Sequence, residues 1–279
     1  MPRRLPSKDF RARRIVLVRG DFAYAPKPAE PATDLIDEAT WNSIVTLPDD
    51  VAVRTTNYHG TTIKQLHDLW GAWIDCLGDE RECMFPVMLD AADDFQAATY
   101  ALLTGYYRLS ISAVRSALEL VVIGTWAQVC GRRQNFDEWR AGKKVLSLGQ
   151  ACDGLIKGTQ KLESDLRQLV GDTLFTQNTP SSEGGFVRRI FDGISNFTHS
   201  RPGSTDGDMR KSNGPIYVRS AFTHVAWIQS EVLAVCYVLA LCARPTLPAP
   251  KPILELFENQ DRAKSRVTRA AFQRLRGEI

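Results

Sequence analysis

The 279-residue chain is 44% hydrophobic, which is enough to bury a substantial core without disulfide or metal support. Its 35 basic and 32 acidic residues leave a formal net charge of +3, which excludes a protein that coats nucleic acid through bulk charge. The 6 cysteines form no CxxC pair, so structural zinc and a disulfide framework are both disfavoured. We expect a cytoplasmic protein with free thiols, no metal and no cofactor.

Residues 1–58 indicate a basic arm or small subdomain. Two β-like runs, Ile15–Val18 and Val51–Val53, could pair as a short hairpin, and Pro48–Asp50 has the composition of a turn. Arg19 follows the first run at once, so this region lacks the apolar stretch of a secretory signal.

Helical periodicity begins near Thr61 and predicts a mainly α fold, an antiparallel helical bundle over residues 59–244. Two long helices are expected between Phe85 and Cys130, divided near Gly105. Further helices are predicted at 145–157, 160–170, 186–199 and 217–243. The last of these has a strictly apolar part, Val232–Ala243, that is too short to cross about 30 Å of hydrocarbon, so no membrane span is expected.

Residues 245–279 are predicted to leave the bundle as a proline-rich linker, followed by one basic amphipathic helix over 253–279. Basic residues crowd both ends of the chain, with 6 in residues 3–14 and 6 in residues 262–276. Such runs are usually solvated, but they could also bind RNA or a protein partner.

A charged stripe lies on the otherwise apolar helix predicted from Tyr106 to Trp126. Its members fall within about 60° of one another at 100° per residue, and they are Arg108, Ser112, Arg115 and Glu119. Burying such groups is costly unless they are paired, so the stripe needs a partner helix, a ligand or an open cleft. Arg115 could pair with Glu119 alone, or it could present its remaining donors to an anionic ligand.

The partner helix is predicted within residues 185–203. Its polar face carries Arg189, Asp192, Asn196 and His199. The polar loop that follows, 204–214, includes Asn213 and is long enough to cover a cleft. A histidine beside such a loop suits acid-base chemistry, although a histidine at a helix end can equally bond nearby carbonyls.

Several enzyme signatures are absent from the sequence. It contains no GxxxxGK[ST], no GxGxxG after a strand, no GxSxG and no HExxH. Common nucleotide hydrolases and zincins are thereby excluded.

The run AVRSALE (Ala113–Glu119), together with the later run SNFTHSRPG (Ser195–Gly203), resembles uncharacterised bacterial helical proteins related to the HEPN-like superfamily. The resemblance covers residues 85–243. It implies a small antiparallel helical bundle, commonly dimeric, so a homodimer is expected. Many HEPN proteins are metal-independent ribonucleases of toxin and phage-defence systems, and their active site pairs an arginine with a following histidine on one helix.

The resemblance implies His199 as the catalytic histidine. Arg188 and Arg189 lie farther upstream than the usual spacing, and Asn196 occupies the near position. The catalytic arginine would then be Arg201 or, from the partner helix, Arg115, while Asn196 would orient the scissile group. The expected ligand-binding residues are Glu119, Ser112, Arg108, Arg189 and Asn213.

Three functions stay open at this point. The chain could be a non-catalytic helical interaction or regulatory module, a metal-independent ribonuclease acting on RNA, or a sensor of a nucleotide or small anion. We favour the interaction module, because no catalytic spacing is intact.

Overall fold

The computed structural model describes residues 37–179, 182–198, 214–259 and 263–279. The chain divides into two units, Met1–Trp41 and Asn42–Ile279. The described part of the first unit is the short helix α1, Glu38–Trp41, and the preceding Asp37, whose carboxylate accepts hydrogen bonds from Thr40. The predicted run Ile15–Val18 lies outside the described residues.

The second unit is mainly α-helical, which confirms the predicted mainly α class. It opens with a π-helical turn, Asn42–Thr46. The helices that follow are α2 Leu47–Ile74, α3 Met84–Leu103, α4 Tyr107–Val129, α5 Arg133–Arg140, α6 Leu148–Gly158, α7 Gln160–Val170, α8 Phe186–Thr198, α9 Arg219–Ala243, α10 Lys251–Glu258 and α11 Arg266–Arg276. Two strands precede α8 as a small antiparallel pair, β1 Asn178–Thr179 and β2 Ser182–Glu183, with Asn178 opposite Glu183.

The predicted division of the long apolar region at Gly105 is confirmed, since α3 ends at Leu103 and α4 begins at Tyr107. Gly105 has a φ of +81°, in the left-handed region that favours glycine. A Cβ atom here would lie 2.3 Å from the backbone oxygen of Ile216. The glycine therefore lets the α3–α4 connection lie against the segment that leads into α9.

The predicted β-like run Val51–Val53 and its turn at Pro48–Asp50 are wrong, because both lie in the first turns of α2. Proline is favoured at the start of a helix, where its missing N–H has no intrahelical partner to lose. Asp49 and Asp50 interact favourably with the positive end of the helix dipole. The residues that resemble a turn are thus helix-start signals, and the hairpin proposed for them does not form.

Helix α2 is interrupted at His59, whose φ of −136° and ψ of 21° are not helical. The predicted domain boundary between residues 58 and 59 falls at this kink, inside a helix, whereas the chain divides after Trp41. Thr55 before the kink and Leu66 after it are both buried. Both segments of α2 therefore belong to the same unit.

The centre of the core is α9, in which every residue from Ile228 to Leu241 is buried. A helix enclosed by other helices is apolar on all faces, which explains this long hydrophobic run. By length and composition alone, both α4 and α9 could span a membrane. The strictly apolar part Val232–Ala243 is therefore shorter than the apolar length of the whole helix α9. However, 56% of the most apolar window of α4 and 89% of that of α9 are buried inside the protein, as in core helices.

The C-terminal region contains two helices, α10 and α11, where the sequence predicts one over 253–279. Helix α10 ends at Glu258, and Asn259 after it has extended backbone angles. Ser265 caps the start of α11 by accepting a hydrogen bond from the Thr268 N–H. Ala263 and Phe272 are buried in the common core. The region therefore packs on the bundle instead of standing apart from it.

A buried carboxylate, Glu231 of α9, holds the start of α11 against the core. Its Oε2 accepts hydrogen bonds from the backbone N–H groups of Lys264 at 2.8 Å and Ser265 at 3.3 Å, and its Oε1 accepts one from the Thr268 hydroxyl at 3.5 Å. Only 2% of Glu231 is exposed, and burial raises the pKa of this carboxyl. The hydrogen bonds at the helix start oppose that rise, because they favour the charged form.

Candidate functional site

The predicted stripe on α4 meets α8 through Arg115. Its Nε donates a hydrogen bond of 2.9 Å to Ser195 Oγ. Its guanidinium carbon lies 4.5 Å from the centre of the Phe191 ring, a cation–π distance. Its Nη1 lies 3.7 Å from Glu119 Oε2, on the next turn of α4. The two predicted helices therefore share a polar contact centred on Arg115.

The Arg115 contact is partly shielded from water, with 26% of the Arg115 side chain and 33% of the Glu119 side chain exposed. An ion pair of this kind within one helix contributes only about 0.2–0.5 kcal/mol. Ser195 is buried, so its hydroxyl needs a hydrogen-bonding partner, and Arg115 supplies one. The contact between helices is therefore the more important role of this arginine.

Ser112 is engaged within its own helix. Its hydroxyl donates a hydrogen bond of 2.9 Å to the backbone oxygen of Arg108, one turn earlier in α4. The Arg108 side chain is half-buried on the same stripe. The Ser112 proton is thereby used inside α4, and Arg115 carries the contact with α8.

Arg189 lies near the start of α8 and is bound by other residues. Its Nη1 donates to the backbone oxygen of Gly184 at 2.8 Å, and its Nη2 donates to Asp172 Oδ2 at 2.6 Å. The neighbouring Arg188 donates to Asp153 of α6 at 3.1 Å. Both arginines thus fix the first turns of α8 and its preceding loop, and Arg189 is committed to these partners instead of the Arg115 contact.

Three of the predicted site residues lie outside the described ranges, namely His199, Arg201 and Asn213. Asn196 is described; it is exposed and directly follows Ser195. The described part of the candidate site therefore consists of Arg115 and Glu119 on α4 and the second half of α8.

Phe191 and Ser195 are contacts of the site that the sequence does not single out. They lie four residues apart on α8, so they occupy one face of the helix, beside the polar face that the sequence predicts. Their spacing is visible in the sequence. The arginine that packs on them is distant in sequence, and only the folded structure shows that Arg115 fills this position.

Glu163 of α7 is a buried carboxyl outside the predicted stripes. Only 7% of it is exposed, and one of its oxygens accepts a hydrogen bond of 3.2 Å from the Phe175 N–H. Burial raises the pKa of Glu163 to about 7, against the opposing effect of its hydrogen bonds. The charge of this group therefore changes near neutral pH.

An open depression of about 610 Å³ lies at the C-terminal ends of α4 and α6, where Trp126, Arg132, Asp153 and Lys157 line it. The carbonyl ends of helices favour cations, and the side chains of Arg132 and Lys157 supply positive charge there. Of the predicted site residues that the structure describes, none lines this depression.

Comparisons with known proteins assign no family to this chain. No protein-family model matches the sequence, no curated protein matches it, and no solved structure matches its fold. Within the described ranges, no group of three or more His, Cys, Asp or Glu side chains is placed to hold a metal ion. Function must therefore be inferred from the residues and their contacts.

Proposed function

We propose that the chain is a non-catalytic helical interaction and regulatory module of the HEPN-like type, a cytoplasmic homodimer of a toxin or phage-defence system. It would recruit RNA or a protein through its basic terminal segments. The observation that supports this proposal best is that Arg115, the arginine expected to face a ligand, is bound inside the protein by Ser195, Phe191 and Glu119.

The contacts of Arg115 suit a packing role better than a catalytic one. An arginine that stabilises a reacting phosphate needs free donors aimed at the place where charge develops. In Arg115 the Nε donor is bonded, Nη1 faces a carboxylate and Phe191 lies against the guanidinium. Moving the side chain onto a phosphate would break these contacts and leave the buried Ser195 hydroxyl without this partner.

The proposal is tested by incubating total RNA in EDTA with purified wild type, Arg115→Ala and His199→Ala. We expect the RNA to stay intact in all of these samples, as judged by its length on a denaturing gel. Arg81→Ala removes an exposed arginine that pairs with Asp79 and serves as the control for loss of positive charge. Cleavage by the wild type that disappears in His199→Ala would overturn the proposal.

A metal-independent ribonuclease is the second candidate, and one contact favours it. Arg115 bonds to Ser195, which precedes His199 by four residues, so this arginine contacts the helix that leads to the candidate histidine. In this case His199 acts as general acid or base, and Arg115 or Arg201 stabilises the charge on phosphate. If the chain is a ribonuclease with Arg115 in its active site, Arg115→Ala and His199→Ala should both lose RNA cleavage, while Arg81→Ala should keep it.

A further inference from the structure

The kink in α2 coincides with an aromatic cluster that joins α2 to α9. The His59 ring stacks on Phe222, with ring centres 4.1 Å apart and planes inclined by 17°. His59 Nε2 lies 3.0 Å from the Tyr217 hydroxyl, at hydrogen-bonding distance. The non-helical backbone of His59 therefore stands where its ring contacts both Phe222 and Tyr217.

The segment that carries Tyr217 is also held on either side of that residue. The Val218 N–H donates a hydrogen bond of 2.9 Å to the hydroxyl of Tyr107, a fully buried residue. The Ile216 backbone lies against Gly105, in the close approach that excludes a side chain there. Because both neighbours of Tyr217 are fixed, its ring is held in place before any ligand arrives.

Tyr58 stacks on Tyr217 and faces outward. The two ring centres are 5.6 Å apart and the planes are inclined by 19°. Even so, 69% of Tyr58 is exposed. Its ring is thus stacked on another aromatic ring while most of its surface is open to solvent.

Two exposed arginines flank this stack. Arg54 precedes Tyr58 by one helical turn, so the two side chains are neighbours on α2. Arg219 is the first residue of α9 and lies near His59. Burial, together with the positive charge of Arg219, lowers the pKa of His59. Within the described ranges neither arginine forms an ion pair, and Asp50 is an acidic neighbour one turn before Arg54.

We infer that Tyr58, Arg54 and Arg219, supported by Tyr217, form a binding surface for single-stranded nucleic acid. A base stacks on the open face of Tyr58, and the flanking phosphates meet the two arginines. Every base has a π face, so such stacking tolerates any sequence, and arginine binds phosphate through its planar donor fork. The inference rests on the proposed interaction function and names a partner class for it.

A single strand fits this Tyr58 surface better than a duplex does. In a duplex the bases are already stacked on one another and cannot lie on Tyr58 without being flipped out. Two arginines also neutralise few phosphates, so the aromatic contact must supply much of the affinity. The surface should therefore prefer unpaired strands and depend only moderately on salt.

Fluorescence anisotropy with short labelled single strands of RNA and of DNA tests the Tyr58 surface. Tyr58→Ala should weaken binding on the order of 5- to 150-fold, the effect of losing one stacked base, while Tyr58→Phe should stay within about two-fold of wild type. Tyr100→Ala on α3 is the matched control, because Tyr100 is 65% exposed, and it should bind as wild type does. Equal affinities of Tyr58→Ala and Tyr100→Ala, or no binding of either strand by the wild type, would overturn the inference.

The arginines are tested by the dependence of binding on salt. Arg54→Ala and Arg219→Ala should each reduce the slope of log affinity against log salt by about 0.7, the value for one phosphate on a single strand. Unchanged slopes in both variants, or displacement of the strand by base-free polyphosphate as readily as by unlabelled RNA, would overturn the inference. The proposed non-catalytic function is overturned by a different result. RNA cleavage in EDTA would overturn it even if Tyr58-dependent binding of single strands persisted.

Discussion

Arg115 and Arg54 both lie on long helices of the same bundle, but their surroundings differ. Arg115 is half-buried and is bound by a hydroxyl, a carboxylate and an aromatic ring. Arg54 is exposed beside Tyr58 and forms no ion pair within the described ranges. A charge taken out of water must be paired, whereas an exposed charge can stay unpaired at little cost. Substitutions at interior polar contacts should therefore reduce stability, and those at the Tyr58 surface should reduce binding.

The largest loss of stability is expected at Glu231. Glu231→Ala removes the acceptor for two partly buried backbone N–H groups and for the buried Thr268 hydroxyl at the start of α11, and a buried donor left unpaired costs about 1–3 kcal/mol. We expect the free energy of unfolding, measured by urea denaturation, to fall by about 3 kcal/mol. Hydrogen exchange should show that α11 opens first.

The control for Glu231 is Glu255→Ala, which removes an exposed glutamate paired with Lys251 on α10. This substitution should cost less than about 0.5 kcal/mol, as surface ion pairs do. If Glu231→Ala were no less stable than Glu255→Ala, the view that interior polar contacts carry stability would fail.

Glu163 is an interior carboxyl whose contribution to stability should depend on pH. Its pKa is raised to about 7 in the folded protein, so folding favours the neutral carboxyl. The contribution of this neutral carboxyl to the free energy of unfolding is lost as pH rises through about 7. Glu163→Gln should gain about 2–3 kcal/mol of relative stability between pH 5 and pH 8, in line with about 1.4 kcal/mol per pKa unit. Urea denaturation of both proteins at these two pH values measures the difference. A constant difference would show that Glu163 does not titrate near neutrality.

Gly105 is a buried residue that contacts Ile216, and Ile216 adjoins Tyr217, the residue that supports the Tyr58 surface. Gly105→Ala should cost about 2 kcal/mol or more, because alanine is strained at positive φ and its Cβ would collide with the Ile216 backbone. Thermal denaturation should show this loss, and anisotropy should show weaker strand binding, since Ile216 adjoins Tyr217. Gly131→Ala is the control, because Gly131 has a φ of +62° and no atom lies within 4 Å of its Cβ position. Equal losses in both variants would mean that the Ile216 contact contributes nothing.

Much of the helical fold is predictable from the sequence, because burial of one helix face leaves a periodic pattern. That pattern gives the polar stripe that includes Arg115, and the glycine itself marks the division at Gly105. It fails at Val51–Val53, where local composition favours a strand but the preceding proline and aspartates start a helix.

Contacts between distant segments are the part of the structure that the sequence does not reveal. Glu231 interrupts an apolar helix in the sequence, and its purpose becomes clear only when Lys264 and Ser265 are seen to donate to it. The same holds for Ser195, whose partner Arg115 comes from another helix. Periodicity identifies which face of a helix is buried, but it does not identify which residue lies opposite.

The most direct test of this account measures unfolding and strand binding together for Arg115→Ala and Tyr58→Ala. Arg115→Ala should lose about 1–2 kcal/mol of unfolding free energy, from one hydrogen bond and one cation–π contact, and should bind single strands as wild type does. Tyr58→Ala should stay within about 0.5 kcal/mol of wild type in stability and lose binding. The contrary result, an Arg115→Ala protein of full stability that has lost binding or cleavage of RNA, would contradict the account.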